Sequence, residues 1–223
     1  MINIQKYQAV IFDLDGTLVD SLEDIADAMN QTLLRFDYPI HSYESYKYFV
    51  GNGLKNLVYQ CIPIERRNEL HVLECLDVMM EEYRKNYVSK TKLYDGIDDL
   101  LTFLKKQGFK LAILSNKVDE LTQKIYKKLL YSWQFDFILG ATDQFPRKPD
   151  PESALYIAKE INILPENILY IGDTGVDMQT ARTAGMFSIG VTWGFRQRQE
   201  LEENGAQLII NNPGELEKYL INK

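Results

Sequence analysis

The sequence is poor in cysteine and histidine, with two of each among its 223 residues. Cys61 and Cys75 have no metal-ligand residues beside them, and His41 and His71 are isolated, so neither a zinc site nor a disulfide framework is indicated. Disulfides persist mainly in oxidising compartments, and two reduced, packed thiols are typical of a cytosolic protein. We therefore predict a cytoplasmic protein without cysteine-based sites.

Long apolar runs and an excess of positive charge are missing too. No stretch approaches the roughly 18 apolar residues of a membrane-spanning helix, and the start, residues 1–7, has no basic region followed by an apolar core, so no secretory signal is predicted. The 25 lysines and arginines face 32 acidic residues, which gives a net charge of −7. This balance disfavours nucleic acid and membrane surfaces as partners, but it leaves an anionic small molecule open because local charge decides that case.

What the sequence does contain is a regular alternation of short apolar runs and amphipathic stretches from residue 94 onward. Short apolar runs indicate buried strands, and apolar residues at helical spacing indicate helices. Alternation of the two predicts an α/β fold, with a Rossmann-like parallel sheet and helices on both faces. The predicted strands are residues 9–12, 111–114, 135–139, 168–171, 187–191 and 208–210.

The stretch between the first two predicted strands has a different character, because it contains helical patterns and no convincing strand. Ser21, followed by Asp24 three residues later, predicts a capping box at the start of the first of these helices. The stretch is far longer than one crossover connection needs. We predict a helical cap domain at residues 18–89, inserted into a catalytic core of residues 1–17 and 90–223.

Three predicted strands end in polar residues. Asp13 and Asp15 follow the first strand, Ser115 follows the second, and Asp173 follows the strand at 168–171, with Asp177 four residues later. Ligands of open α/β sheets bind beyond the carboxyl ends of the strands, so these side chains are predicted to converge. An ordinary acidic turn explains any one of them, whereas three such strand ends in one chain favour a site.

The predicted cluster carries too much negative charge to bind a phosphate unaided. Its four aspartates give a charge of −4 if all are ionised, and Lys148 reduces this to −3. A divalent cation brings the charge to −1 and can bridge a carboxylate to a phosphoryl oxygen. Because the candidate ligands are hard oxygens, Mg²⁺ is the predicted cofactor and a small phosphorylated metabolite the predicted partner.

Four motifs carry a resemblance to a known family. Residues 13–21, DLDGTLVDS, are similar nearly letter for letter to the first motif of the haloacid dehalogenase-like hydrolases. Ser115-Asn116-Lys117 resembles the second motif, Lys148-Pro149 the third and residues 172–177 the fourth. The motifs occur in family order over nearly the whole chain, and the closest resemblance is to the phosphoglycolate phosphatase group.

The resemblance implies a Mg²⁺-dependent phosphatase that hydrolyses a small phosphomonoester through an aspartyl-phosphate intermediate. It implies that Asp13 attacks phosphorus and that Asp15 acts as general acid and then as general base. Ser115, the backbone amide of Asn116 and Lys148 are expected to hold the transferring phosphoryl oxygens.

The metal ligands are also implied by the resemblance. They are Asp13, the main-chain carbonyl of Asp15, and Asp173, whereas Asp177 is expected behind these ligands or at one water's distance from the ion.

The turn Gly51-Asn52-Gly53 resembles the cap loop of phosphoglycolate phosphatases. Two glycines allow a loop to approach a ligand closely and expose its amides, so Asn52 and Gly53 are predicted to bind substrate. The alternative is an ordinary turn between helices, since Leu54 begins an apolar stripe directly after it.

Two other functions stay open from the sequence. A phosphosugar mutase of the same superfamily resembles the same motifs, and a catalytically silent phosphate-binding or partner-binding module could share the scaffold. The intact pair of Asp13 and Asp15 disfavours the silent module. Phosphoglycolate, pyrophosphate, sugar phosphates and nucleotides are all open as substrates.

Overall fold

The computed structural model describes residues 6–221, so most of the stretch used to predict the lack of a secretory signal lies outside the described residues. Six of the apolar runs form one sheet in the order β5-β4-β1-β6-β7-β8, and every neighbouring pair in it is parallel. The predicted α/β class is therefore confirmed. The strands are β1 (Ala9–Phe12), β2 (Val19–Asp20), β3 (Lys92–Leu93), β4 (Lys110–Val118), β5 (Phe137–Ala141), β6 (Ile168–Gly172), β7 (Phe187–Val191) and β8 (Leu208–Ile210).

Helices cover both faces of this sheet, as the alternating pattern predicts. The helices are α1 (Leu22–Arg35), α2 (Tyr43–Phe49), α3 (Leu54–Cys61), α4 (Glu69–Asn86), α5 (Ile97–Lys106), α6 (Asp119–Ile125), α7 (Glu152–Glu160), α8 (Gly175–Thr183), α9 (Arg198–Glu203) and α10 (Pro213–Ile221). Val10 and Phe12 of β1 pack on α5 and α10. The alternate side chains Ala9 and Ile11 pack on α7 and α8 on the other face. Within residues 6–221, no helix combines the length and the apolar character that crossing a bilayer requires.

The helices α1 to α4 form the inserted cap domain and share a hydrophobic core of their own. Two side chains from the rest of the chain, Leu121 and Phe195, complete this core. The two chain crossings between sheet and cap pair with each other, because β2 and β3 form a short antiparallel ladder that joins Val19 to Leu93. The helical cap is thus confirmed, whereas its boundaries at residues 18 and 89 stay a prediction.

The predicted capping box at the start of α1 is wrong. The Ser21 hydroxyl donates to Asp15 Oδ1 at 2.5 Å instead of capping the helix. The buried Asp24 carboxylate accepts hydrogen bonds from the backbone amides of Ser89, Lys90 and Thr91 at 2.8–3.0 Å. Both side chains are therefore used by contacts distant in sequence, and Asp24 ties the returning chain to α1.

Strand β4 is longer than the predicted strand at 111–114. It continues through Ser115 to Val118, but its pairing with β5 shifts register between Leu114 and Val118. The Ser115-Asn116-Lys117 motif lies in this irregular part of the strand. The motif therefore lies at the carboxyl edge of the sheet, where the backbone pairing with β5 is interrupted.

Candidate active site

Two glycines allow the acidic loop after β1 to pack directly on Asp173. Gly16 has a φ of +87°, a left-handed conformation that glycine adopts without strain. A Cβ atom at Gly16 or at Gly194 would collide with the Asp173 carboxylate. The Thr17 hydroxyl donates to Asp173 Oδ1 at 3.2 Å from the same loop. The loop is therefore built around one fully buried carboxylate.

Asp13 and Asp177 share one buried cation, Lys148. Lys148 Nζ lies 2.9 Å from Asp13 Oδ1 and 2.7 Å from Asp177 Oδ1, and it donates to the carbonyl of Leu114 at 3.1 Å. Burial opposes the charge of the ammonium, but the two carboxylates outweigh it and hold the pKa of Lys148 well above its ordinary value. Lys148 is therefore a fixed positive charge at the end of β1.

The pKa of Asp13 is raised from 3.8 to about 7. Burial is the main cause, because it removes water from the charged form; Lys148 counteracts it, and Asp177 and Asp15 add to it. Asp13 Oδ1 is buried and makes no hydrogen bond of good geometry in residues 6–221. A carboxylate oxygen in this state has a lone pair free for another partner.

Asp177 accepts more hydrogen bonds than Asp173. Lys148 and Tyr170 donate to its Oδ1 and Thr174 donates twice to its Oδ2, whereas each Asp173 oxygen has one protein donor. Asp177 Oδ2 accepts hydrogen bonds from the backbone amide and the hydroxyl of Thr174, at 3.1 and 2.6 Å. The Asp177 amide donates in return to the Thr174 hydroxyl at 3.4 Å, which completes a capping box at the start of α8. Asp177 Oδ1 is held by Lys148. Asp177 therefore fixes the lysine and the loop that carries Asp173.

Asp13, Asp173 and Asp177 form a buried group that could hold a metal ion, since one carboxylate oxygen from each lies within 4.8 Å of the others. Burial, followed by the charges of Asp13 and Asp177, raises the pKa of Asp173 well above its ordinary value. The donor set consists of hard oxygens, and a cation relieves the repulsion among them. The residues present therefore fit a divalent ion that prefers oxygen.

Asp15 has partners of its own, distinct from those of Asp13. Its Oδ1 accepts the hydrogen bond from Ser21, and its Oδ2 lies 2.8 Å from Lys117 Nζ in a buried ion pair. Lys117 is 5% exposed, and its ammonium lies 4.8 Å from the centre of the Tyr83 ring in α4. Burial opposes the charge of Lys117, but Asp15 outweighs this effect, so the pKa of Lys117 is above its ordinary value.

Lys117 also corrects the charge estimate made from the sequence. The four aspartates face two buried ammonium groups instead of one, which leaves a formal charge of −2 in place of −3. A divalent ion then brings the cluster to neutrality. This balance is more favourable for a bound phosphate dianion than the sequence alone indicates.

A small cavity of about 30 Å³ lies between the carboxyl edge of the sheet and the cap. We call it the site cavity. On the cap side it is bordered by apolar groups from α1 and α3 and by two loop glycines, and on the sheet side by polar groups. Its lining residues are Asp13, Asp15, Ile25, Val50, Gly51, Gly53, Leu54, Leu57, Ser115, Asn116 and Lys117.

The predicted substrate-binding residues divide at this cavity. Ser115, Asn116 and Gly53 line it, whereas Asn52 is exposed and lines a separate cleft on the outside of the cap loop. Lys148 does not line the cavity, but its ammonium contacts Asp13, which does. The structure thus brings together every predicted site residue except the Asn52 side chain.

Asn116 and Arg196 fasten the cap loop to the sheet. Asn116 Nδ2 donates to the carbonyls of Gly51 and Lys148, both at 3.1 Å. Arg196, in the loop after β7, donates through Nη2 to the carbonyls of Val50 at 2.8 Å and Tyr48 at 3.3 Å. Its Nε lies 3.2 Å from Glu200. These contacts hold the chain from Tyr48 to Gly51 over the site cavity.

The loop that carries Arg196 also holds Asp173. The backbone amide of Phe195 donates to Asp173 Oδ2 at 2.8 Å, and the Phe195 ring packs in the hydrophobic core of the cap. Two neighbouring residues therefore have three roles: Phe195 supports the buried carboxylate and packs in the cap core, and Arg196 binds the cap loop.

We expect Arg196→Met to loosen the cap loop while leaving the fold intact, because methionine keeps much of the apolar length and removes every donor. Hydrogen bonds from a charged donor contribute about 1.5–3 kcal/mol, so amide exchange of residues 48–54 should accelerate at least about tenfold. Hydrogen exchange read by mass spectrometry measures this. The matched control is Arg198→Met, because Arg198 is exposed and pairs only with surface groups. Unchanged exchange in the folded Arg196 variant contradicts the assignment.

The sequence patterns predict no role at the site for Lys117, Arg196 or Ser21. Lys117 stands inside a motif that the sequence displays, so its signal was present. Arg196 follows the end of β7, where a site residue is plausible, but arginine is mostly a surface residue. Ser21 was assigned to a helix cap because its sequence neighbours fit one.

The chain is similar to known proteins over nearly its whole length. Residues 10–191 match the family model described as haloacid dehalogenase-like hydrolase. A phosphoglycolate phosphatase of Aquifex aeolicus (strain VF5) is 32% identical over 215 residues, which cover 96% of this chain and 97% of that protein. A solved structure of a haloacid dehalogenase-like family hydrolase from Streptococcus pneumoniae aligns with a TM-score of 0.87 at 27% identity, covering 96% and 99% of the two chains. A β-phosphoglucomutase from Clostridium difficile shares the fold, with a TM-score of 0.76 at 23% identity and coverage of 94% and 93%.

Proposed function

The chain belongs to the haloacid dehalogenase-like hydrolases, and from this premise we propose that it hydrolyses a small phosphomonoester such as 2-phosphoglycolate. The proposed reaction depends on Mg²⁺ and passes through a phosphorylated Asp13. The family match and the phosphoglycolate phosphatases that resemble the chain support a phosphoric monoester hydrolase. The observation that carries the finer proposal is the buried arrangement of Asp13, Lys148 and Asp177 beside a cavity that also contains Asp15.

In the first step of the proposed reaction, a carboxylate oxygen of Asp13 attacks phosphorus and the bond from phosphorus to the ester oxygen breaks. The leaving oxygen takes a proton from Asp15, which borders the same cavity. Lys148, 2.9 Å from Asp13, and Ser115 stabilise charge on the phosphoryl oxygens together with the backbone amide of Asn116. The product of this step is an acyl phosphate on Asp13 and a free alcohol.

In the second step, a water oxygen attacks phosphorus and the acyl phosphate bond breaks. Asp15, now ionised, accepts the proton of that water, so inorganic phosphate leaves and Asp13 regains its carboxylate. Covalent catalysis of this kind divides one difficult displacement into two. The Ser21 hydroxyl and Lys117 hold the Asp15 carboxylate in one orientation for both proton transfers.

We propose that Asp13, the main-chain carbonyl of Asp15 and Asp173 hold the Mg²⁺, with Asp177 behind them. The number of donors supports this division, because each Asp177 oxygen accepts two hydrogen bonds from the protein and each Asp173 oxygen accepts one. When bound, the ion neutralises carboxylate charge and polarises the phosphoryl group. Thr17 and the amide of Phe195 keep Asp173 in place for this role.

The volume of the site cavity favours a small alcohol half. About 30 Å³ holds only a few water molecules, so even a small ester requires some displacement of the cap loop, and a sugar phosphate or a nucleotide requires a larger one. This favours the phosphatase over the phosphosugar mutase. The Asp13 and Asp15 pair beside a free volume favours an enzyme over a silent binding module.

Substrate binding by the cap loop remains part of the proposal. Gly53 lines the site cavity, and its φ of +83° suits glycine. The Asn52 side chain lines the outer cleft in this structure. Asn52 is therefore proposed to contact the substrate only when the cap loop moves to admit it.

We also propose that the enzyme acts in the cytoplasm on a soluble phosphorylated metabolite. The supporting observation is that Cys61 and Cys75 are both free thiols in the buried core of the cap. Free buried cysteines are typical of a reducing compartment.

The experiment that tests the proposed function is a panel of phosphate esters with Mg²⁺, read as kcat/KM for each. We expect 2-phosphoglycolate to exceed hexose phosphates, nucleotides and pyrophosphate. Conversion of one sugar phosphate into its isomer without phosphate release supports the mutase instead. Binding without turnover of any ester supports the silent module.

We expect the affinity for Mg²⁺ to increase with pH, because the ion competes with the proton on Asp13. The pKa of about 7 means that Asp13 is mostly protonated at pH 6 and mostly ionised at pH 8, so the apparent Kd should fall about tenfold between these values. Thermal unfolding at increasing Mg²⁺ measures it. Asp173→Asn should weaken binding at both pH values, with the exposed Asp98→Asn as matched control. An affinity independent of pH contradicts the prediction.

A further inference from the structure

Lys117 is the one cationic side chain among the residues that line the site cavity. The proposed phosphoryl chemistry uses Lys148 for the transferring oxygens and leaves Lys117 with no substrate contact. A buried ammonium is costly unless several groups satisfy it. Its presence at the cavity wall therefore calls for a partner in addition to Asp15.

The hydrogen bonds of Lys117 leave donor capacity free. An ammonium group has three N–H donors. Within residues 6–221, Asp15 Oδ2 accepts one of them, and the Tyr83 hydroxyl lies near enough to Lys117 Nζ to help raise its pKa, which leaves one donor for a further partner. The Tyr83 ring lies 4.8 Å from the ammonium and stabilises it through its π face. No second carboxylate of the described residues forms an ion pair with it.

The position of Lys117 relative to Asp15 defines which part of a substrate it can reach. Asp15 is proposed to protonate the ester oxygen, and Lys117 Nζ is 2.8 Å from this carboxylate. A group on the carbon that carries the ester oxygen therefore lies beside the ammonium. The remaining cap-side wall is apolar and includes Ile25, Leu54 and Leu57, so it offers no competing charge.

We propose that Lys117 binds the carboxylate of the alcohol half and selects phosphate esters in which that carboxylate is attached to the ester-bearing carbon. This inference rests on the proposed function and deepens it by naming the residue that reads the leaving group. Lys117 bridges the substrate carboxylate and Asp15, so the anionic end of the substrate is fixed next to the group that protonates its oxygen. An uncharged alcohol half of the same size lacks this contact.

The rival role for Lys117 is to position Asp15 alone. The two roles predict different substrate dependence. Loss of a residue that only orients Asp15 lowers the rate for all alkyl esters equally, whereas loss of a carboxylate-binding residue lowers it selectively for the acidic ester. Substrate pairs therefore separate them.

The test compares kcat/KM for 2-phosphoglycolate and for 2-hydroxyethyl phosphate, which replaces the carboxylate with an uncharged hydroxymethyl group. We expect the wild-type protein to prefer the acidic ester by roughly 10- to 100-fold, the range of a charge-assisted hydrogen bond. Lys117→Met should reduce the preference to within about threefold, in addition to a loss shared by both esters. Lys106→Met, an exposed lysine on α5, is the matched control and should keep the full preference.

A second measurement needs no variant and covers the case in which Lys117→Met does not fold. The wild-type protein is also tested with 3-phosphooxypropanoate, in which the carboxylate is one carbon further from the ester oxygen. On a logarithmic scale of kcat/KM, this ester should lose at least half of the preference that 2-phosphoglycolate has over 2-hydroxyethyl phosphate. Equal loss for both esters in Lys117→Met, or equal rates for the acidic and uncharged esters in the wild type, overturns the inference while phosphatase activity stands. If the preference is lost in Asn52→Ala and kept in Lys117→Met, the cap loop binds the substrate carboxylate, and the inference is overturned. Failure to hydrolyse any monoester overturns the proposed function itself.

Discussion

Asp13→Asn should lower kcat by roughly four orders of magnitude or more, the largest effect of any single substitution considered. The amide has nearly the volume of the carboxylate but lacks the oxygen that attacks phosphorus, and loss of a covalent nucleophile typically has effects of this size. The measurement is steady-state hydrolysis of 2-phosphoglycolate on a sample checked for deamidation by mass spectrometry. Asp98→Asn, an exposed residue on α5, is the matched control. Wild-type rates in the verified Asp13 variant contradict the assignment.

The same substitution should stabilise the metal-free protein at alkaline pH. Because the pKa of Asp13 is about 7 when folded and ordinarily 3.8, the folded state holds a proton that the unfolded state has lost between pH 4 and 7. Stability contributed by this group is therefore present below about pH 4 and is lost as the pH rises to 7. Asparagine does not titrate, so the metal-free variant should melt at least about 2 °C above the wild-type protein at pH 8. A lower melting temperature there contradicts the stated cause of the pKa shift.

Asp15→Asn should produce the second largest effect, and one that depends on the leaving group. For an alkyl ester the loss in kcat/KM should reach about 10²- to 10⁴-fold, the typical contribution of a general acid. For p-nitrophenyl phosphate the loss should stay within about tenfold, because nitrophenolate leaves without a proton. The two kcat/KM ratios, taken on one preparation, measure this, since kcat/KM reports the first chemical step.

The control for this comparison is a check that the Asp15→Asn variant keeps the wild-type fold. Lys117 can donate to the asparagine side-chain oxygen and the asparagine NH₂ group can donate to the Ser21 hydroxyl, so circular dichroism and the melting profile should stay close to those of the wild-type protein. Equal losses for both esters in a folded variant argue against Asp15 as the general acid.

Much of the fold follows from local patterns in the sequence. Each sheet strand is a short apolar run bounded by glycine or polar residues, and such runs are buried on both faces of a parallel sheet. The convergence of Asp13, Ser115 and Asp173 also follows, because parallel strands place their carboxyl ends at one edge. The helical cap is indicated by length, since the stretch is too long for one crossover.

The remaining features depend on contacts between residues far apart in the chain. Ser21 and Asp24 satisfy the local pattern of a capping box, but Asp15 and the backbone at 89–91 bind them instead. A sequence pattern cannot show that competition. Thr174 and Asp177 do form a capping box, and the Asp177 carboxylate also binds Lys148. The Asp177 side chain therefore stabilises the start of α8 and positions a lysine of the site.

Long polar side chains were the hardest to assign. Lys117 and Arg196 belong to residue types that are mostly exposed, and their burial arises only when the cap closes on the sheet edge. Lys117 then contacts Asp15 from the loop after β1 and Tyr83 from α4. The lysine proposed to bind the substrate carboxylate therefore stands in a motif of the sequence, but its burial between sheet and cap does not follow from that motif.

The most direct test of the central claim is to trap the phosphoryl group on Asp13. In Asp15→Asn treated with Mg²⁺ and p-nitrophenyl phosphate, the first step needs no proton donor but the second step lacks its base, so the intermediate should accumulate. We predict a burst of about one nitrophenolate per chain, with the mass of one phosphoryl group on the peptide that contains Asp13 and none in the Asp13→Asn, Asp15→Asn double variant. A burst that places the phosphoryl group on another residue, or steady turnover with no labelled protein, contradicts the account.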